Sequence, residues 1–303
     1  LKSARTIEYA APTRYINAKP DEGANKAVRE SRLNYLNGGA KLGIELFRGF
    51  KIDGRLRAAR VSYGKTKLSD GATVDDLTGV AGSDPSTPIA DPGDEGLDVS
   101  TEWTMSIDRR ANWYGIQSGY RYAASLELAA PGLGSDFRYY LAGVSIFRAR
   151  KILDHHNLIF KANVGHGFHV PFQQEYQTGG TSMRGWLNNQ FRGDLKAIVN
   201  LEYSVPLFTI KGLSFRGLGF FDSAYTTFLT TSNPQRNYLP NSRRDQNVDG
   251  SKFQTYLAPF KNSVGVGTRL YMRQIVLPLL GLDVGYGLEA RDIQVYLAIG
   301  LTD

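Results

Sequence analysis

Hydrophobic residues alternate with polar or small residues along the last part of the chain, and this two-residue period restricts the fold more than any other feature. Between residues 293 and 301, one face carries Ile, Val, Leu, Ile and Leu, and the other carries Gln, Tyr, Ala and Gly. The same alternation runs through residues 264–271 and 282–289. Successive side chains of a β-strand point to opposite faces, whereas a helix repeats every 3.6 residues. The pattern therefore predicts an all-β protein.

Similar segments recur upstream and bring the predicted strands to 12 or 13. Residues 41–50 and 51–63 are expected to form a hairpin around Asp53-Gly54, because Asp-Gly is a strong turn dipeptide. Residues 1–38 contain only weak strand or loop patterns. The other predicted strands are 96–109, 114–129, 137–150, 157–167, 194–207 and 213–225.

The apolar strand faces could be buried in a soluble sandwich or could face lipid. Opposite them, three consecutive strands carry glycines, hydroxyls and charges such as Asp283 and Glu289, which is typical of a polar lumen. The longest apolar run, Ile275–Leu282, is much shorter than the roughly 20 residues of a membrane-spanning helix. Closure of the sheet would remove the edges that lipid cannot solvate. We therefore predict a closed antiparallel transmembrane β-barrel of 12–16 strands, forming one domain over residues 1–303.

Two further features favour a membrane barrel. Residues 69–96 and 227–260 are long loops, which are disfavoured in compact soluble domains but usual on the outer side of such barrels, so both are expected to be extracellular. Aromatic residues near the strand ends are expected to form an interfacial girdle. They are Trp103, Trp113, Tyr114, Tyr139, Tyr140, Tyr203, Phe220 and Phe221.

Composition excludes several function classes. The net charge is only +7, and no run of five or six basic residues is present, so nucleic acid is not an expected partner. The chain has no Cys, which excludes disulfides and thiolate zinc sites. Its four histidines show no metal-ligand spacing, and no nucleophile elbow is present. We expect no enzyme activity, no catalytic residue, no metal and no cofactor.

Residues 177–193 are neither strand-like nor an ordinary polar loop. Paired glycines, a single arginine, another glycine and an aromatic residue allow a tight fold-back that aims one guanidinium group. The segment resembles the inward-folded loop of the bacterial surface antigen superfamily, the outer-membrane assembly and secretion barrels that include BamA, TamA and the two-partner secretion translocators. The residues that carry this resemblance are Gly179, Gly180, Met183, Arg184, Gly185 and Trp186.

The resemblance extends in order over about residues 97–303. Ala224 stands where the family usually has glycine in its Phe-x-Asp-x-Gly strand. Residues 1–96 match much less clearly. The other matching segments are 106–110, 119–120, 128–136, 201–207, 220–225 and 263–267.

The resemblance implies a loop fixed to the inner wall of the barrel by its arginine. A buried arginine needs an acidic partner, since an unpaired charge is costly away from water. Glu202 shares strand parity with Lys196 and Ser204, and Asp222 is the only acid of its strand. We therefore predict a cluster of Arg184, Glu202 and Asp222.

The resemblance also implies a location and partners. It places the chain in the outer membrane of a Gram-negative bacterium, in contact with its lipids and lipopolysaccharide. The implied function is insertion or secretion of client proteins, with unfolded client polypeptides or a secreted passenger, and other envelope subunits, as partners. A structural or passive barrel, acting as a pore or scaffold in an envelope complex, is the alternative, because a fold does not by itself specify a function.

Overall fold

The computed structural model describes residues 2–9, 27–74, 82, 84–86, 88–89, 91–113, 115–227, 229, 260–272 and 278–299. These residues form sixteen strands and three single turns of 3₁₀ helix, Pro131–Leu133, Phe172–Gln174 and Gly180–Ser182. The strands are β1 (Lys2–Tyr9), β2 (Ala27–Phe47), β3 (Phe50–Tyr63), β4 (Lys67–Leu68), β5 (Gly96–Asp108), β6 (Ala111–Trp113), β7 (Ile116–Ala129), β8 (Tyr139–Ile152), β9 (His156–Phe168), β10 (Tyr176–Thr178), β11 (Phe191–Gly193), β12 (Leu195–Ile210), β13 (Leu213–Thr227), β14 (Lys261–Met272), β15 (Pro278–Gly287) and β16 (Asp292–Ile299).

Twelve long strands form one antiparallel sheet in which each strand pairs with the next long strand along the chain. The order is β1-β2-β3-β5-β7-β8-β9-β12-β13-β14-β15-β16, with β4 beside β2 and β6 beside β7. In the part of the chain that the structure describes, strands β10 and β11 pair only with each other. Within the described ranges, β1 and β16 are the two edge strands of the sheet. The all-β antiparallel prediction is therefore confirmed, whereas a β1–β16 seam is not among the described pairings.

The two faces of the sheet differ in chemistry. On β15, Asp283 is buried on the inner face, whereas Val284 beside it is exposed on the outer face. Val284 pairs with Val266 of β14 and Val295 of β16, whose side chains are 64% and 63% exposed. Apolar residues exposed on adjacent strands form a larger patch than soluble monomers usually tolerate. This distribution suits a sheet with lipid outside and a polar lumen inside.

The predicted turn at Asp53-Gly54 is wrong. Strand β2 runs without interruption to Phe47, and the turn lies at Arg48-Gly49, where Gly49 adopts a φ of 82°. Glycine takes this left-handed conformation without steric cost. Asp53 instead lies inside β3 opposite Gly43, where its carboxylate is 2.9 Å from the ammonium of Lys51. An Asp-Gly pair is thus accommodated inside a strand when lysine neighbours balance the carboxylate.

Two members of the predicted aromatic girdle lie on the inner face of the sheet instead of the outer face. Tyr140 and Phe221 are exposed on the outer face, but Tyr139 and Phe220 are 3% and 6% exposed on the inner face. Because successive side chains of a strand point to opposite faces, only one member of each neighbouring pair can face lipid. Tyr139 donates a hydrogen bond to Asp98 at 2.9 Å, which satisfies its buried hydroxyl.

The strand order sets the two ends of the sheet. The short connections 48–49, 153–155 and 211–212 lie at one end, here called the short-turn end. The strand ends that border the connections 64–95, 169–194 and 228–260 lie at the opposite end, so the two predicted long loops begin and end there. Residues 75–81 and 230–259 of these two loops lie outside the described residues. Among the described residues, no helix is long and apolar enough to cross a membrane.

Candidate functional site

The connection 169–194, here called the inner loop, folds back against the inner face of the sheet. It is longer than the predicted 177–193, because burial begins at Val170 and Phe172, which are 3% and 2% exposed. The loop is also partly strand-like. Strands β10 and β11 pair as a short ladder, from Tyr176 opposite Gly193 to Thr178 opposite Phe191, and hold the base of the loop together.

Arg184 lies at the centre of the contact between the inner loop and the wall. Its Nε and one terminal nitrogen donate to the two carboxylate oxygens of Asp222, each at 2.9 Å, and its backbone N–H donates to the same carboxylate at 3.0 Å. The other terminal nitrogen donates to Glu202 at 3.1 Å. Bidentate pairing of this kind requires the planar guanidinium fork. The structure thus brings Arg184, Glu202 and Asp222 together.

The cluster contains two further charges that the sequence reasoning did not place there. Asp283 of β15 is 3.4 Å from the same Arg184 nitrogen that donates to Glu202, and it also accepts from Arg269 at 2.8 Å. Two guanidinium groups and three carboxylates therefore form one network. Burial alone would lower the pKa of Arg184, but Asp222, followed by Glu202 and Asp283, outweighs burial and raises this pKa above its usual value. Arg184 therefore remains charged at any physiological pH.

Aromatic side chains complete the anchoring of Arg184 and its neighbours. The guanidinium carbon of Arg184 lies 3.5 Å from the ring centroid of Phe220, a cation–π contact. The hydroxyl of Tyr296 accepts from the backbone N–H of Gly185 at 3.0 Å and of Trp186 at 3.1 Å. It donates in turn to the carbonyl of Trp186 at 2.6 Å. Tyr296 belongs to β16, so the loop is held by the last strand as well as by β13.

Three glycines allow the loop backbone to touch the wall. Gly185 has a φ of 93°, and a Cβ there would lie 2.8 Å from the backbone nitrogen of Gly287. A Cβ on Gly285 or Gly287 would lie 2.6 Å from the backbone of Gly185. The glycines of β15 thus face a particular partner, which explains why this stretch of the lumen face has no side chains.

Gly185→Ala is therefore expected to lift the loop from β15. The new methyl group would clash with backbone, which cannot rotate away, and the positive φ adds strain of roughly 1–3 kcal/mol. Because the chain has no Cys, Met183→Cys gives a unique thiol at a position that is fully buried. Maleimide labelling of this thiol should become faster in the Gly185→Ala background.

Gly219→Ala is the matched control for this prediction. A Cβ at Gly219 would meet nothing within 4 Å, so labelling should stay slow. Equal labelling rates in the Gly185→Ala and Gly219→Ala backgrounds would contradict the proposed close contact.

The rest of the predicted loop motif packs between the loop and the wall. Met183 and Trp186 are buried against Ile198 and Ala224, and the Trp186 ring meets Phe191 edge-on with centroids 5.1 Å apart. Gly179 and Gly180 have φ values of 117° and 65°. Their missing side chains leave room for the backbone of Leu187 and the residue after it. Each glycine of the motif therefore serves a close approach.

The opposite half of the inner loop is fixed to a different part of the inner face, formed by β3, β5 and β8. Phe172 packs in a cluster with Val61, Tyr63 and Tyr139. The side chain of Gln174 donates to Asp98 at 3.2 Å, and Asp98 in turn pairs with Arg57 at the same distance.

An ion pair inside the loop stabilises this half. Arg192 donates to Glu175 at 2.7 Å, and both side chains are almost fully buried. Burial also raises the pKa of Tyr176 to about 12. The loop therefore bridges two separate parts of the wall, and sequence reasoning found only the Arg184 anchor.

The sequence carried a partial signal for Asp283 and none for Tyr296. Strand parity already pointed Asp283 inward, but it did not show which charge Asp283 would meet. Nothing in the local sequence indicated the role of Tyr296. Among the described residues, no group of three His, Asp or Glu side chains could hold a metal ion.

This geometry defines a class of protein: an antiparallel all-β sheet with an apolar outer face and a loop fixed to its inner face by a buried arginine. Residues 10–290 match the Omp85 superfamily domain, and the chain belongs to the Omp85 superfamily. The match confirms the resemblance to the surface antigen barrels. It makes the chain an outer-membrane β-barrel protein of an assembly and surface antigen family.

One solved structure supports the fold. The chain is similar to BamA from Haemophilus ducreyi lacking POTRA domains 1–3, with 14% identity and a TM-score of 0.59 over 89% of this chain. It spans 54% of that BamA chain. LpxR from Salmonella typhimurium, at 11% identity over 89% of this chain and 86% of that one, has a TM-score of only 0.27, too low to bear on the fold. No curated protein sequence matches the chain.

Proposed function

We propose that the chain forms a closed barrel in the outer membrane of a Gram-negative bacterium and inserts or secretes client polypeptides. Its partners would be outer-membrane lipids and lipopolysaccharide, unfolded clients or a secreted passenger, and other envelope subunits. The barrel would act without catalysis and without a cofactor. Membership of the Omp85 superfamily and the BamA-like fold support an assembly or translocation role.

The single observation that carries the proposal is where the inner loop is fixed. Its apex contacts Gly285 and Gly287 of β15 and Tyr296 of β16, which are the last two strands of the sheet. A merely structural plug could be fixed to any part of the wall. Here the fixed loop stabilises the strands next to a sheet edge, and an edge is where an incoming strand can pair through its backbone.

The proposed mechanism follows from this position. Strands β1 and β16 would meet at a weak seam, which closes the barrel at rest. Opening of the seam would expose unpaired N–H and C=O groups, and a client strand would add to them. The Arg184 network would keep β13 and β15 in register while the edge opens.

Cysteine cross-links across the seam test the proposal. In the full-length protein, one cysteine would replace Ser3, Arg5 or Ile7 of β1, and the other Ile293, Val295 or Leu297 of β16. All these side chains lie on the outer face by strand parity, and no native thiol interferes. In lipid vesicles, oxidation of a pair that cross-links should stop folding of an unfolded β-barrel client, and a reductant should restore it.

The single-cysteine variants are the controls, because they cannot lock the seam. Client folding at an unchanged rate in the locked protein would contradict an opening seam. If the unlocked protein also fails to accelerate client folding, the passive pore or scaffold becomes the better assignment.

A further inference from the structure

The outer face of β8 changes from apolar to basic towards the short-turn end. In that direction it carries Val144 and Ile146, which are 52% and 38% exposed, and then Arg148 and Arg150. Both arginines are exposed. Their Cα atoms lie roughly 7 Å apart, because the two residues are separated by one position of a strand. Two guanidinium groups therefore extend from the outer face directly beside the apolar band.

No negative charge of the protein balances these two arginines. Among the described residues, their side chains take part in no ion pair and no hydrogen bond. By strand parity, the outer faces of β7, β8 and β9 carry no Asp, Glu or Lys. The nearest acid in the sequence, Asp154, is 98% exposed in the next turn and lies 3.9 Å from Lys151. A lipid-facing arginine is costly away from the interface, and a counter-charge outside the protein would remove this cost.

Aromatic side chains on the neighbouring strands indicate that this part of the outer face lies at the membrane interface. Tyr120 of β7 and Phe160 of β9 are the register partners of Arg148. The ring of Tyr120 stacks on that of Tyr122, with centroids 5.1 Å apart. Tyrosine is enriched at the level of the lipid headgroups, so the two arginines lie where lipid phosphates are found.

We propose that Arg148 and Arg150 form a binding site for the phosphodiester of an anionic phospholipid, such as phosphatidylglycerol, in the leaflet at the short-turn end. A guanidinium group binds a phosphate through two parallel hydrogen bonds. The acyl chains would lie against the apolar side chains of the same strand face, Val144 and Ile146. A zwitterionic headgroup fits less well, because no acid on the outer faces of β7, β8 and β9 can receive its ammonium group.

The site rests on the lipid-embedded barrel of the proposed function, but it does not need client handling. It lies on the outer face of β8, whereas the Arg184 network lies on the inner face and involves β12, β13 and β15. Lipid binding can therefore be measured on the folded barrel without any client.

Native mass spectrometry of the full-length protein, folded in detergent, tests the proposal by counting bound lipids during titration with phosphatidylglycerol or phosphatidylcholine. The wild-type protein should retain one phosphatidylglycerol more tightly than any phosphatidylcholine. Arg148→Gln/Arg150→Gln should weaken phosphatidylglycerol binding about tenfold or more, since each basic residue near an anionic lipid surface contributes roughly fivefold. Phosphatidylcholine binding should not change. Arg148→Lys/Arg150→Lys should retain part of the preference, because it keeps both charges.

Arg32→Gln/Arg60→Gln is the matched control. Both residues are exposed on the outer face of β2 and β3, but they lie towards the end opposite the short turns. The control removes the same charge from the same face, and it should leave the affinity for phosphatidylglycerol unchanged. If Arg148→Gln/Arg150→Gln folds poorly, each single Gln variant should show a loss of about fivefold.

Glycerophosphoglycerol, which is the headgroup without acyl chains, separates a lipid site from a site for a free anion. It should not displace the bound lipid at equal concentration. Displacement at equal concentration, equal affinity of the wild-type protein for the two lipids, or equal losses in the variant and the control would overturn the proposal. Failure of the wild-type chain to fold as a barrel would contradict the proposed function, whereas a folded barrel without lipid preference would contradict only this site.

Discussion

Arg184→Ala is expected to lower the free energy of unfolding by roughly 3–5 kcal/mol, the usual cost of removing one partner from a buried ion network. The change would leave Asp222 fully buried without the two hydrogen bonds that the guanidinium group donates to it. The backbone bond from residue 184 to Asp222 would survive, but the hydrogen bond from Arg184 to Glu202 would be lost. Denaturant unfolding of the full-length protein in lipid vesicles, followed by intrinsic fluorescence, measures the loss.

Arg55→Ala is a suitable control for this change. Arg55 pairs with Glu102 at 2.8 Å, but its side chain is 40% exposed, so the loss should be below about 1 kcal/mol. Arg184→Lys should fall between the two, because an ammonium group cannot bind both oxygens of Asp222 and reach Glu202 as well.

The double variant Arg184→Ala/Asp222→Ala separates the pair from the rest of the network. Since each single change removes the main partner of the residue that stays, the double change should cost less than the sum of the single changes. Additive costs would show that the two residues do not interact in the membrane. If the loop serves the proposed function, the Arg184→Ala variant should stop folding clients at a lower denaturant concentration than the one that unfolds its own barrel.

Val284→Arg is expected to impair folding into lipid vesicles by roughly 2–4 kcal/mol, the cost of a basic side chain at the middle of a lipid-facing strand. Val284 lies between two exposed valines on neighbouring strands, Val266 and Val295. In water, the same substitution at an exposed site would be nearly neutral. The fraction of protein that folds, resolved by its altered mobility on unboiled gels, measures the effect.

Thr209→Arg tests whether depth in the membrane matters. Thr209 is also exposed, but it lies next to the turn between β12 and β13, where an arginine can reach the interface. Its cost should be at most about 1 kcal/mol. Equal folding of the two variants would mean that the exposed apolar face of β15 does not meet lipid.

Strand position and strand face were predictable from the sequence because both depend on neighbouring residues. Side chains of a strand alternate at every step, so the pattern around Val284 indicated which side chains point outward before any pairing was known. The aromatic girdle was predicted without this alternation, since Tyr139 and Tyr140 are neighbours and cannot both face outward. The turn at Arg48-Gly49 was missed because Asp53-Gly54 carries the stronger local signal, and only the pairing of Asp53 opposite Gly43 excludes it.

The inner loop shows where local information ends. Its glycines and Arg184 formed a recognisable segment, and parity gave two candidate acids, Glu202 and Asp222. Asp283 and Tyr296 lie about 100 residues further along the chain, and they meet the loop only because the register of β13 to β16 brings them level with it. Parity specifies a face but not a height along the strand. Only the long-range hydrogen-bond register of the sheet fixes which inward side chains can touch the loop, and this is why the tertiary structure was needed to complete the site.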